Sequence, residues 1–459
     1  MKKTVFLTGA TGTMGMAALA RLAGDAGRFR VIVLARPGRK NRRLLAPFLS
    51  GGNVEVVWGD LTDAADVDRG VSRADIVLHV GGMVSPAADM YPDLTWRVNT
   101  GSMRHVVEAV RRRPDADDVA VVYIGSVSQY GPRHAPDHWI SAGDPLVPAE
   151  GDMYARSKIA AERILSESGL RRWVSLRQTG ILCPSLLFKG SDPISFHVPL
   201  RGALEWTTAE ESGLLLANLC RLSDELPADF WCHFHNIGSG APFRMSNYEF
   251  ECRLMKALSC PPPEKVFGRD WFALTNFHGG WFADSDRLES FLHFRLYADP
   301  DAYFRSMARR LPFYFKLAGI VPPALIKAGM KRVALKRPLG TLSWTGGADP
   351  ERTRQFFGSQ RQRDSIGGWD TFDRSPLPSA RMERDYGYDR TKPESGLCIS
   401  DMRGVAALRG GRCLSPSMRP GDLSTPLEWE TSAGDRFMAT PATVALGGHW
   451  GLPLRKDSD

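Results

Sequence analysis

The chain has 459 residues, of which 43% are hydrophobic and 24% charged. That balance excludes a disordered chain and gives enough apolar surface for two or three domains with a sizeable core. The net charge of +8 is local: between Asp301 and Asp349 stand nine basic residues and no acidic one, and the rest is near neutral. A single basic segment argues against a nucleic-acid-binding body. Seven cysteines without a C-x-x-C pair imply reduced thiols, a cytoplasmic setting, and neither a disulfide framework nor a metal site. No apolar run is long enough to cross a bilayer, and the apolar start breaks into Gly and Thr too early for a secretion signal.

In chain order, "TVFLTG" (4–9) reads as a buried strand, and "TMGMAALARLAGD" (13–25) has helical spacing. The turn between them is "TGATGTMG", with glycines at 9, 12 and 15. Glycine permits the tight turn and lets backbone approach a pyrophosphate. The helix N-terminus adds free N–H groups and a positive dipole end. Gly9, Thr11, Gly12, Thr13, Met14 and Gly15 are therefore the expected dinucleotide-phosphate loop. A second strand, "RVIVLA" (30–35), ends at Ala35, where an NAD site places a carboxylate for the ribose. Arg36, Arg39 and Lys40 follow instead, which suits a 2′-phosphate and favours NADP(H) over NAD(H).

Further strands are "NVEVVWGDLTD" (53–63), "ADIVLHVGG" (74–82), "DVAVVYIGSVSQYG" (118–131) and "RWVSLRQTGI" (172–181), with an amphipathic helix over 94–113. The alternation predicts an α/β, Rossmann-like doubly wound parallel sheet with ligands at the carboxyl ends of its strands. Helix 153–169 carries Tyr154 and Lys158 at i, i+4, hence on one face. A lysine beside a phenol stabilises the phenolate, so the expectation is a lowered Tyr154 pKa and a usable acid/base.

The order "TGATGTMG", "GDL", "HVGG", "VNTGS", "YIGSVSQYG", "YARSK", "LRQTGI" resembles the extended short-chain dehydrogenase/reductase family, epimerase/dehydratase branch, over about residues 1–300. The resemblance implies that Asp60 and Leu61 frame the adenine and that Gly81 and Gly82 line the cofactor, where alanines are usual. It makes Ser126, Tyr154 and Lys158 catalytic, with Asn99 nearby, and it implies a homodimer through helices around 94–113 and 153–169. Val127 and Ser128 stand where sugar 4,6-dehydratases carry an Asp-Glu pair, which speaks against water elimination. Gln178 replaces the usual proline after the arginine.

The expected division is a nucleotide-binding domain over 1–300, with its substrate lobe mainly in 180–300, then a basic amphipathic segment (301–345) and a polar linker (346–395). A small ribbon-like β module over 396–459 completes the C-terminal mixed extension. The end of the chain resembles a zinc ribbon whose ligand positions hold Thr431, Asp435, Gly451 and Leu454, so no Zn²⁺ site can be built. Docking through Trp429, Phe437 and Trp450 is expected. The basic segment 303–337 reads either as a solvated lid or as contact with a membrane surface or lipid-like substrate. The expected function is an NADP(H)-dependent oxidoreductase acting at a carbonyl or carbinol carbon of a small molecule. A nucleotide-sugar epimerase and a non-catalytic dinucleotide sensor are the alternatives.

Overall fold

The computed structural model describes residues 2–188, 192–312 and 319–451. Seven apolar runs form the central sheet: β1 (Lys3–Thr8), β2 (Phe29–Ala35), β3 (Val54–Trp58), β4 (Ile76–His79), β5 (Ala120–Ser126), β6 (Trp173–Gln178) and β7 (His233–Ile237). Their order is β7-β6-β5-β4-β1-β2-β3, and every pairing is parallel. The fold is thus the expected Rossmann-like doubly wound sheet. The runs are apolar at consecutive positions because helices cover both faces. Val5, Leu7, Val31 and Val33 pack with Ala18, Leu19, Leu215 and Leu219 on one side. Phe6, Ile32, Val77 and Val121 pack with Met103, Val106 and Leu165 on the other.

Chain direction reverses between β1 and β4, so a crevice opens at their carboxyl ends. Gly9 lies there at φ 71°, and a Cβ on it would stand 2.7 Å from the Gly81 Cα. The two loops approach this closely only because both residues are glycine.

Beyond β6 the chain builds a smaller lobe, with short strands Ala203–Glu205 and Arg244–Ser246 and helix Asn247–Ala257. Two helices carry the basic segment, Pro300–Arg309 and Pro323–Ala334; residues 313–318 between them lie outside the described residues. The stretch 346–395 departs from the expected linker. It holds helices Pro350–Phe357 and Gln360–Asp364, buries Phe357, Phe372 and Leu377, and pairs Arg354 with Glu150. Its polar composition hides a few apolar anchors spaced too widely to give a periodic signal.

The C-terminal module also differs from a pure β ribbon. Helix Ile399–Leu408 packs on an antiparallel sheet of Arg412–Cys413, Leu427–Glu430 and Arg436–Ala439. Trp429 is fully buried in the module's own core, with Met402, Val405 and Val444, so it does not dock the module. Polar groups do. The Arg177 guanidinium donates to Glu162 at 2.6 Å and to the Gly447 carbonyl at 2.6 Å, and His449 Nε2 lies 2.8 Å from Glu162. His449 is thus buried where the module meets the main body. Leu454 lies outside the described residues. Among the described residues no group of His, Cys, Asp and Glu could hold a metal ion, and no helix is long and apolar enough to cross a membrane.

Candidate active site

The glycine turn places the backbone of residues 12–15 at the start of helix Thr13–Ala23. The first N–H groups of a helix have no partner within it, and no side chain caps this one. A Cβ on Gly15 would stand 2.2 Å from the Gly9 carbonyl oxygen, and one on Gly12 would meet only that oxygen, at 3.4 Å. Gly12 and Thr13 are exposed and Thr11 is half-buried, whereas the Met14 side chain goes into the core. Met14 can therefore offer only its backbone. The turn is a cradle that side chains would fill, and it fits a pyrophosphate.

At the end of β2, Ala35 is buried while Arg36, Arg39 and Lys40 are exposed. Among the described residues none of the three has a carboxylate within ion-pair distance, so their charge is open to an anion. Arg42, one turn on, stacks over Trp58 at 4.5 Å instead. Asp60 accepts from the Thr62 backbone and hydroxyl, both at 2.9 Å, which fixes the loop. The Leu61 side chain reaches toward Gly81, where an added Cβ would lie 2.8 Å away. At Gly82 a Cβ would press on Asn99 Oδ1 at 2.8 Å, so alanine would crowd both positions.

Asn99 is a brace. Its amide accepts from Met83 N–H (2.7 Å) and donates to the Met83 carbonyl (3.1 Å) and Ser157 Oγ (2.9 Å). It ties the glycine loop to helix Met153–Ser166, and both of its N–H donors are taken.

That helix starts at Asp152, whose carboxylate caps Ala155 N–H at 2.7 Å, and continues through strong helix formers, "ARSKIAAERIL". The Tyr123 hydroxyl, from β5, donates to the Lys158 carbonyl at 3.2 Å and pins the helix against the sheet. Lys158 Nζ donates to the Ile124 carbonyl at 2.8 Å and lies 4.9 Å from the Tyr123 ring and 5.9 Å from the Tyr154 ring. Burial lowers its ammonium pKa to about 8, against the upward pull of Glu162.

Ser126 ends β5. Its oxygen accepts from Ser128 N–H (3.2 Å) and from the Ser128 hydroxyl (2.9 Å). With both lone pairs met, its own proton is directed outward. The phenol of Tyr154 is its neighbour across the site, and the Ser126 hydroxyl pulls the phenol pKa down. Burial pulls harder the other way and pushes Tyr154 up to about 12. The expectation of a phenol lowered by Lys158 is therefore corrected here. The desolvation of Tyr154 outweighs its neighbours, and the ammonium donates one of its hydrogen bonds to the Ile124 carbonyl. Ser128 is fully buried behind Ser126 and serves as its donor. Gln178 pairs in register with Ser126 and turns its amide to Ser212 (3.3 Å) and the Thr179 carbonyl (3.1 Å).

Glycine turn, Ser126, Tyr154 and Lys158 converge at one end of the sheet. Residues 5–180 match the NAD dependent epimerase/dehydratase family. Over 107 residues the chain is 36% identical to the ceramide reductase of Caulobacter vibrioides, a stretch covering 23% of this chain and only 31% of that relative. Two solved structures share the fold. The dTDP-glucose 4,6-dehydratase of Bacillus anthracis, in complex with NAD, superposes with a TM-score of 0.54 at 11% identity, over 67% of this chain and 96% of its own. The Bordetella bronchiseptica enzyme WbmH, in complex with NAD⁺, gives 0.50 at 19% identity, over 69% and 99%.

Sequence reasoning missed the cavity beside this cluster. It has a volume of about 640 Å³, and its lining includes Ile194, Phe196, Leu204, Phe250, Leu254 and Met330. Ser85, Gly180 and His278 also line it. Ser85 follows the Asn99-braced loop, Gly180 follows β6, and His278 stands 3.8 Å from Asp152. The cavity thus adjoins the carboxyl end of the sheet. Glu251 faces it from an almost wholly buried position, with no hydrogen-bond or ion partner among the described residues. Burial alone raises this carboxyl to about 7. No periodic pattern marks these residues, because they come from separate segments of the lobe.

Proposed function

We propose that the protein is an NADP(H)-dependent oxidoreductase that reduces a carbonyl, or oxidises the matching carbinol, on a molecule with a long apolar body. The observation that carries this reading is the gathering of Ser126, Tyr154 and Lys158 at the sheet end that bears the glycine cradle and adjoins the apolar cavity. Residues 12–15 would hold the pyrophosphate, with Arg36, Arg39 and Lys40 on the 2′-phosphate. The bound nicotinamide supplies or accepts the hydride.

The chain's own part is proton handling and placement. Ser126 donates its hydroxyl proton to the substrate oxygen and fixes it beside Tyr154. A phenol with a pKa raised to about 12 is protonated at neutral pH. It is therefore a proton donor, which suits the reductive direction, where the nascent alkoxide must gain a proton. Lys158, still an ammonium below about pH 8, favours that proton's passage by placing positive charge under the site.

The lining favours an apolar substrate body over a nucleotide sugar, whose hydroxyls would require many polar partners. The relative named ceramide reductase points the same way, since a ceramide is a long-chain lipid. A series of ketones of increasing alkyl length, read by NADPH absorbance, tests the proposal. The specificity constant should rise with chain length until the cavity is filled, and NADPH should outperform NADH. Equal rates for short and long ketones would refute the substrate class, and preference for NADH would refute the role of Arg36 and its neighbours.

A further inference from the structure

The helix Pro323–Ala334 has two faces with different tasks. On its inner side Ile326, Met330 and Val333 pack against the cluster of Phe196, Leu200, Val266 and Phe267, and Ile326 and Met330 form part of the cavity wall. Its C-terminal end is fixed: His197 Nε2 contacts the Leu339 carbonyl at 2.7 Å, and the Trp344 indole donates to the Pro338 carbonyl at 2.8 Å. The wall is therefore held rigidly on the lobe.

The outer side is exposed and carries Lys327, Lys331 and Arg332, with Lys336 and Arg337 just beyond. Among the described residues none of these five has an acidic partner, although paired arginines are common elsewhere on this surface. Arg305 pairs with Asp299, and Arg310 with Glu210. The helix dipole accounts for cations at the last turn, but not for the apolar residues among them. Ile320 is 78% exposed, Leu325 63% and Leu335 47%. Water disfavours this combination, and so does a polyanion such as nucleic acid, which would leave the aliphatic groups wet. An anionic bilayer satisfies both sets: lysine and arginine reach phosphate headgroups while the aliphatic side chains enter the acyl boundary.

We propose that helix Pro323–Ala334 docks the protein on an anionic phospholipid surface, so that the wall of the apolar cavity lies against the bilayer that holds its substrate. The substrate clause rests on the function proposed above; the docking clause does not. A molecule with a long alkyl body is scarcely soluble in water, so a cavity wall at the membrane shortens its path to Ser126 and Tyr154.

Co-sedimentation with vesicles, in the absence of NADPH and substrate, tests the docking clause. The full chain should pellet with equimolar phosphatidylglycerol and phosphatidylcholine, much less with phosphatidylcholine alone, and less as salt is raised. The triple variant Lys327→Glu/Lys331→Glu/Arg332→Glu should bind anionic vesicles roughly a hundredfold more weakly. It should still turn over a short, water-soluble ketone at the wild-type rate, which shows that it is folded. Leu325→Ser should weaken binding without altering its salt dependence. The proposal is overturned if wild type stays in the supernatant, if the triple variant pellets like wild type, or if the segment binds single-stranded DNA and ignores vesicles. Vesicle binding without any ketone reduction would instead sink the oxidoreductase reading and leave the docking intact.

Discussion

Two accessory regions attach to the nucleotide-binding body, and they treat charge in opposite ways. The C-terminal module brings its charged contacts inside. Glu162 and Arg177 are both fully buried, and His449 completes the group from the tail. Burial would raise the Glu162 carboxyl, but the Arg177 guanidinium and His449 hold it well below the usual carboxylate range. The basic helix keeps its cations outside, with no acid near them among the described residues. A buried charge must find a partner, so the module is locked in one pose. An unpartnered exposed cation is free for an external anion. Glu162 also lies on the same helix as Tyr154 and Lys158, at successive steps of four residues, so the tail closes the row that starts at the active site.

Breaking the buried group should give the largest effect of any single substitution. Arg177→Met leaves the buried Glu162 without its guanidinium and should cost about 3–5 kcal/mol, read as a large fall in denaturation midpoint. A loss below about 1 kcal/mol would show that the pair is not isolated from water.

Acid should act next, and through buried histidines. Burial holds His79 and His235 down to about 3 and His197 to about 4, against an ordinary 6.5. A histidine with a depressed folded pKa stabilises the fold above pH 6.5 and loses that contribution as pH falls toward the folded value. Each costs about 1.4 kcal/mol per pH unit through that window. Urea midpoints measured from pH 7 to pH 5 should fall steadily; a flat profile would contradict neutral, buried rings.

The smallest effect belongs to the basic helix. The triple glutamate variant that weakens vesicle binding should change stability by less than about 0.5 kcal/mol, because its cations meet water. A loss comparable to that of Arg177→Met would mean that the two regions do not differ as described.

The parts legible in the sequence are those governed by local pattern. The buried runs of β1, β2 and β5, the glycine turn and the Tyr154–Lys158 spacing each lie within a few residues, and each falls where expected. Contacts between distant segments were not legible. His449 meets Glu162 across 287 residues of chain, and the cavity gathers Ser85, Gly180, Glu251 and Met330 from four separate stretches. The Tyr154 pKa is misjudged for a related reason. Spacing reveals the lysine on the same face, but not the burial that outweighs it or the Ile124 carbonyl that accepts its hydrogen bond. In the same way, Phe357, Phe372 and Leu377 are too few to mark 346–395 as packed.

The central claim is that the Tyr154 phenol delivers the proton that carbonyl reduction requires. The direct measurement is Tyr154→Phe, with NADPH affinity followed by fluorescence and turnover of a long-chain ketone by absorbance. The account predicts unchanged NADPH affinity and a turnover reduced roughly 10²–10⁴-fold. Wild-type turnover in that variant would contradict it.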